Sequence, residues 1–206
     1  MIFIDLGATT LGWNAYQLNG NVLFGQGLTV NLSGGNNGGL GTGYKGFDDS
    51  TTTVSGSLQN AFSFVSVSTS LTQAALTTAQ NVSAYAVNAA NFTGDTTQTF
   101  SSQISGTTTI TGTAGVNVID LDAGLKNAPL TISGPANAYF IINVTGEIQT
   151  NQAMTLTGGG TAANILWNLT SSGTVLQTSG GDSLVGTFLA TDGARSSSRS
   201  LRSTGN

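Results

Sequence analysis

Residues 138 to 193 read AYFIINVTGEIQTNQAMTLTGGGTAANILWNLTSSGTVLQTSGGDSLVGTFLATDG. Short apolar runs here alternate with period two, and Gly, Asn and Ser cut them at intervals of roughly 8 to 12 residues. That is the pattern of half-buried strands joined by tight corners. The phase persists from run to run: Ile132 just upstream, then Phe140 and Ile142, Leu156, Ile165 and Trp167, Val175 and Val185 take the inward positions. Gly-rich corners such as Thr157-Gly158-Gly159-Gly160 turn the chain between them.

Working outward, the same reading predicts strands near 98–101, 107–111, 116–121, 130–133, 138–144, 154–157, 163–169, 174–177 and 184–190. At three strands per coil this amounts to roughly 25 to 35 residues per turn, the range of stacked repeats. Further upstream, Asn14 to Leu18, Asn21 to Phe24 and Leu28 to Leu32 read as short strands split by Asn-Gly or Gly-containing turns. The segment 33–50, SGGNNGGLGTGYKGFDDS, holds seven Gly among eighteen residues and reads as a long surface loop. Between 58 and 84 the period changes. Phe64, Val67, Leu71, Ala75, Thr78 and Val82 follow a 3-4-4-3-4 spacing, predicting one long helix whose stripe packs along the strands. The expected architecture is an all-β dominated, roughly triangular β-solenoid over 1–194 with that helix alongside, followed by a basic hydrophilic tail at 195–206, disordered or linker-like.

Composition narrows the chemistry. The chain has 206 residues, 29 Gly, two Pro, no Cys, no His and 7% charged residues. Without His or Cys there is no Ser-His-Asp or Cys-His nucleophile system, no imidazole or thiolate zinc site and no disulfide framework. Apolar residues make up 38% of the chain, and mean hydropathy is +0.12, so disorder of the whole is excluded. Residues 1–194 carry two cations against nine acids, a net of −7, while Arg195, Arg199 and Arg202 gather in the tail. Phosphate binding needs clustered Lys and Arg, so a nucleic-acid partner is not expected. No run approaches the roughly 20 apolar residues of a membrane span. The N-terminal MIFIDLGATT has no basic region followed by an apolar core, so no signal peptide is read in it. Low charge with Thr, Ser, Asn and Gly in abundance is the composition of an extracellular or cell-surface protein.

The run at 138–193 resembles the closing part of two related bacterial β-solenoid groups: the choice-of-anchor A surface domain, which is collagen-adhesin-like, and the ice-binding protein family. The resemblance rests on Ala138 to Val144, Asn164 to Asn168 and Gly186 to Ala190, with Leu11 to Tyr16 matching an opening strand of the first group and Phe62 to Tyr85 its helix. It implies a β-helix with a long helix beside it, and adhesion or ice binding as function. The chain departs from both groups in the loop at 33–50 and after Gly193, where a further strand would complete the last coil. An uncovered last strand is a pairing edge.

Candidate functional residues divide into hydroxyls and carboxylates. Thr107, Thr109, Thr111 and Thr113 fall at period two, so on one strand they share a face with hydroxyls roughly 6.5 to 7 Å apart. Thr155 and Thr157 add a second ladder if their strand stacks on the same side. Such a face orders water, which is the requirement for binding ice. Asp120 and Asp122, two apart in VIDLDAG, are the candidates for a Ca²⁺ site, with Asp48 and Asp49 as a lesser version. No catalytic residue is assigned and no cofactor is expected apart from Ca²⁺. Trp13, Trp167 and the tyrosines lie among apolar neighbours and read mostly as core. The sequons at Asn31, Asn81, Asn91, Asn143 and Asn168 are at the frequency an Asn/Thr-rich chain produces by chance.

Three functions fit these residues. The first is a non-enzymatic surface domain acting in adhesion, matrix formation or self-assembly into fibres, with itself as partner by coil-end stacking or strand addition, or with matrix polysaccharide. The second is an ice-binding protein using the Thr-rich face. The third is a polysaccharide-active β-helix enzyme using two carboxylates.

Overall fold

The computed structural model describes residues 2–5, 10–14, 17–18, 21–24, 29–33, 39–40, 43, 45–56, 64–88, 96–170, 176–178 and 185–190. In chain order the elements are β1 (Ile2–Asp5), β2 (Thr10–Asn14), β3 (Gln17–Leu18), β4 (Asn21–Phe24), β5 (Thr29–Ser33), β6 (Gly39–Leu40), β7 (Gly46–Asp49), β8 (Thr53–Ser55), β9 (Val65–Val67) and the helix α1 (Thr69–Ala86). After the helix come β10 (Thr96–Phe100), β11 (Thr108–Thr111), β12 (Gly115–Leu121), β13 (Gly124–Lys126), β14 (Leu130–Ser133), β15 (Ala138–Val144), β16 (Glu147–Thr150), β17 (Met154–Thr157), β18 (Ile165–Leu169), β19 (Leu176–Thr178) and β20 (Thr187–Ala190). The fold is strand-dominated with one long helix, as the alternation predicts.

All recorded pairings between these strands are parallel. From β12 to β19, consecutive strands alternate among three sheets, and β12 to β16 each pair with the strand three elements later, β12 with β15, β13 with β16, β14 with β17, β15 with β18 and β16 with β19, while β18 pairs with β20, two elements later. The inward side chains therefore line up in files. Ile119, Ile142, Trp167 and Phe188 form one, Leu125 and Ile148 a second, Ile110, Ile132 and Leu156 a third. Most of these are fully buried, and Trp167 stacks on Phe188 with centroids 5.5 Å apart. The indole also donates from Nε1 to the Val185 carbonyl at 2.8 Å, so its one polar atom is satisfied within the core. Trp167 is core, as read from sequence.

Corners between these sheets pack backbone on backbone. A Cβ on Gly124, whose φ is +77°, would lie 2.0 Å from the Glu147 carbonyl oxygen in the corner above it. Only glycine fits there.

The strand order of the large sheet is β10-β12-β15-β18-β20-β1-β4-β7-β9. Its centre is the junction of β20 with β1, where Phe3 is the register partner of Phe188. The edge that a last strand would leave is covered, because β1 pairs with the side of β20 that faces away from β18. The segment 33–50 is also more ordered than a loop: β6 and β7 lie within it, and Phe47 of β7 pairs with Leu23 of β4. Its glycines masked strands that are themselves short. The expected tail at 195–206 lies outside the described residues.

The helix begins later than the spacing predicts, at Thr69, with Ser68 accepting from the Leu71 N–H at 3.3 Å as N-cap. Residues 65–67 are strand, and 57–63 lie outside the described residues. Its phase differs too. The buried positions are Thr72, Ala79, Ser83 and Ala86, whereas Leu71 is 57% and Val82 40% exposed. At ~100° per residue the buried stripe is turned one position from the expected apolar one. Small and hydroxylated residues win the sheet-facing side because the helix is held there by polar contacts at both ends.

At its start, Thr72 Oγ1 donates to the buried carboxylate of Asp49 on β7. At its end, Asn168 Nδ2 on β18 donates to the Ser83 carbonyl at 3.2 Å, and Asn143 Nδ2 on β15 to the Ala86 carbonyl at 3.0 Å. The spacings agree. Three residues of helix rise ~4.5 Å, about one strand separation of ~4.8 Å. From Thr72 to Ala86 the helix rises ~21 Å, against ~24 Å for the five strand steps from β7 to β15. The helix therefore runs across the strands, along the stacking direction.

Candidate functional site

The sheet β11-β14-β17 brings hydroxyl residues into register. Thr109, Thr131 and Thr155 form one row across the three strands, and Thr111, Ser133 and Thr157 the next. Rows are ~6.7 Å apart along the strands and neighbours ~4.8 Å apart across them. Thr109, Thr111, Thr155 and Thr157 are exposed, Thr131 and Ser133 half-buried. The alternating Ile110, Ile132 and Leu156 point the opposite way, into the core, and so fix which face the hydroxyls occupy.

Among the described residues, none of these six hydroxyls is taken up by a protein hydrogen bond. Other hydroxyls nearby are. Thr108 donates to the Gly106 carbonyl at 2.9 Å, Thr145 to that of Asp122 at 2.7 Å and Thr150 to that of Gln152 at 2.8 Å. The array thus offers a two-by-three grid of donors and acceptors, each with a methyl group beside it except Ser133, to water or to a hydroxylated surface.

Four of the six threonines singled out by sequence stand in this grid. Thr107 and Thr113 are exposed but lie just outside β11, beyond its paired residues. Thr131 and Ser133 were not singled out, because a strand of four residues with one threonine has no ladder of its own. A smaller row recurs elsewhere: Thr29 and Thr53, both exposed, are register partners on β5 and β8.

The carboxylates serve the scaffold. Asp120 accepts from Asn143 Nδ2 at 3.0 Å, while Asp122 falls beyond the end of β12 and is exposed. Asp49 accepts from the Thr51 N–H at 2.9 Å, from its hydroxyl at 2.6 Å and from Thr72. Asp48 accepts from Ser66 Oγ at 3.0 Å. Among the described residues no three Asp or Glu side chains come together. Asp120 also heads a ladder, Asp120–Asn143–Asn168, which runs across three strands and ends under the helix.

The two tyrosines whose side chains are described differ from the core reading, while the side chains of Trp13, Tyr16 and Tyr44 lie outside the described residues. Tyr139 and Tyr85 are 51% and 55% exposed. Tyr139 stands on the outer face of β15 beside a shallow groove of about 360 Å³ lined by Val116, Ile141, Leu166, Asn164 and Thr187. No helix among the described residues is long and apolar enough to cross a membrane.

Comparison with curated proteins gives no match. Among solved structures, the crystal structure of an ice binding protein from an Antarctic biological consortium is 17% identical, over 88% of this chain and 72% of that one, with a TM-score of 0.42. The family model described as "Putative Ice-binding-like adhesive domain" matches residues 7–199. Spanning nearly the whole chain, that match makes this protein a member of the ice-binding-like adhesive domain family.

Proposed function

We propose that the chain is a non-enzymatic, extracellular or cell-surface adhesive domain, built as a roughly triangular β-solenoid, which holds to ice through the Thr/Ser grid of β11, β14 and β17. The observation that carries this reading is the set of six unengaged hydroxyls in two registered rows. The return of the chain to the same sheet every three strands supports the solenoid. A rigid, uncharged grid suits a solid lattice, since a charged side chain would hold water in its own geometry rather than the lattice's. The engagement of Asp49 and Asp120 in the scaffold supports a role without catalysis.

Thermal hysteresis and ice-crystal shaping test it. The protein shapes ice crystals and depresses the freezing point below the melting point, and Thr131→Tyr, at the centre of the first row, removes most of that activity while the fold persists. Absence of ice shaping, or unchanged hysteresis in Thr131→Tyr, overturns the reading.

A second reading, adhesion to a neutral polysaccharide, has the Tyr139 groove in its favour. An exposed ring beside an uncharged groove is a stacking platform for a sugar. Retention on insoluble polysaccharide that is lost in Tyr139→Ala and kept in Thr131→Tyr selects it over ice.

A further inference from the structure

One end of the strand stack is open and uncharged. At this end β10 pairs only with β12, Ile104 bridges only Leu125, and β11 pairs only with β14, among the described residues. In a parallel ladder a residue directs both its N–H and its C=O to the same neighbour, and the next residue directs both the other way. Thr108 donates to the Pro129 carbonyl and Gly112 to that of Ser133. The even positions of β11 therefore face β14, and the backbone groups of Thr109 and Thr111 face outward. One of these is already used, since the Thr111 carbonyl accepts from Gln98 Nε2 at 2.7 Å. On β10, the Phe100 carbonyl accepts from the Asp122 N–H, so Thr97 and Thr99 face outward in the same way.

Protected edges carry charges, proline or a covering element. This one has neither charge nor proline. Residues 96–119 contain no Asp, Glu, Lys or Arg, and no Pro. The opposite end differs in length. Its edge strands β8 and β9 have three residues each, against five in β10 and four in β11.

We infer that the β11 end is a self-association surface on which a second copy of this chain docks end to end, β11 against the partner's β11, in a closed twofold dimer. Three arguments select that occupant. A twofold contact places every group near its own copy, so it tolerates a patch without charge and penalises a charged one. Two strands related by a twofold axis perpendicular to the β11-β14-β17 sheet run antiparallel, an arrangement whose hydrogen bonds are at least as favourable as those of the parallel ladders within each copy. The two ends of the stack differ in strand length, so head-to-tail growth would set the β10 and β11 edges against strands too short to pair along them. The dimer closes and does not propagate into a fibre.

Such a dimer joins two three-stranded grids into one surface of six strands. Two linked sites raise avidity for a repeating surface without any new contact to it.

The test exploits the absence of cysteine from the chain. Single-cysteine variants Thr109→Cys at the β11 end and Thr53→Cys at the opposite end are treated with a short bis-maleimide linker, and the full chain is followed by sedimentation across micromolar to submillimolar concentration. The expected result is a monomer–dimer equilibrium, cross-linked dimer from Thr109→Cys alone, and a dimer dissociation constant raised at least about tenfold by Thr109→Lys, which sets like charges together. Thr99→Lys, on the neighbouring edge strand, gives an independent second variant. A monomer at all concentrations overturns the inference. So does equal cross-linking from Thr53→Cys, growth beyond the dimer, or a dimer indifferent to both lysines. Neither measurement requires the grid to bind ice, so failure of the dimer and failure of the surface-binding reading are separate results.

Discussion

Asn143 donates from Nδ2 to the main-chain carbonyl of Ala86 at 3.0 Å, across 57 residues of sequence. The same amide nitrogen also reaches Asp120 Oδ1 at 3.0 Å, and the Asn143 Oδ1 accepts from Asn168 Nδ2 at 3.0 Å. One buried side chain thus joins three strands and terminates a helix. The last carbonyls of a helix have no partner within it, and here the sheet supplies them.

Asn143→Ala therefore leaves the Ala86 carbonyl and Asn168 each short of a partner in a buried site, and the half-buried Asp120 short of a donor. With ~1–3 kcal/mol for each buried group left unsatisfied and some relaxation around the cavity, a loss of about 2–3 kcal/mol is expected. For a domain of this length that lowers Tm by about 4–10 °C in a calorimetric scan. A shift below a degree would mean that the helix end is not held by this ladder.

The turned phase of the helix gives a contrast between neighbouring residues. Ala79 is buried against the sheet and Val82 is 40% exposed. Ala79→Leu overpacks the contact and costs about 1–3 kcal/mol. Val82→Lys changes stability by no more than about 0.5 kcal/mol. Urea unfolding of the two variants checks the sign, and the reverse order would restore the stripe read from sequence.

Glycine corners give a second contrast. Gly124→Ala forces a side chain onto a left-handed backbone and against the Glu147 carbonyl, and destabilises by at least about 2 kcal/mol. Gly106→Ala, where a Cβ meets nothing within 4 Å, stays within about 0.5 kcal/mol. Equal midpoints for the two in a thermal melt would contradict the stacked corners.

Truncating the core file at Trp167→Ala removes the stacked partner of Phe188 and a full ring system from a site with no exposure. The expected cost is about 3–5 kcal/mol. It is read as a lowered denaturant midpoint in unfolding followed by far-UV circular dichroism.

Much of this fold was legible because alternation is a local property. Asn21–Phe24, Leu130–Ser133, Ala138–Val144 and Met154–Thr157 are read from sequence with the bounds the structure has. Gly124–Lys126 and Glu147–Thr150 were missed, since each is short and carries a charged residue on its outer side. The helix was legible in existence and illegible in phase. Hydrophobic periodicity reports where apolar residues are, while close packing on Asp49, Asn143 and Asn168 selects small residues with accessible carbonyls. The hydroxyl grid divides in the same way. Thr109 and Thr111 announce themselves on one strand, but Thr131 and Ser133 join them only through register, which is set by residues 22 to 24 positions away.

The pairing of Phe3 with Phe188 spans 185 positions and sits in the middle of the large sheet. The two sides of that seam are far apart in sequence, so the strands on either side cannot form a continuous stack until β20 has been made. Non-local parallel pairing of this kind is slow to form. The stack is thereby kept from closing before β20 is available to it, and that strand acts as the keystone.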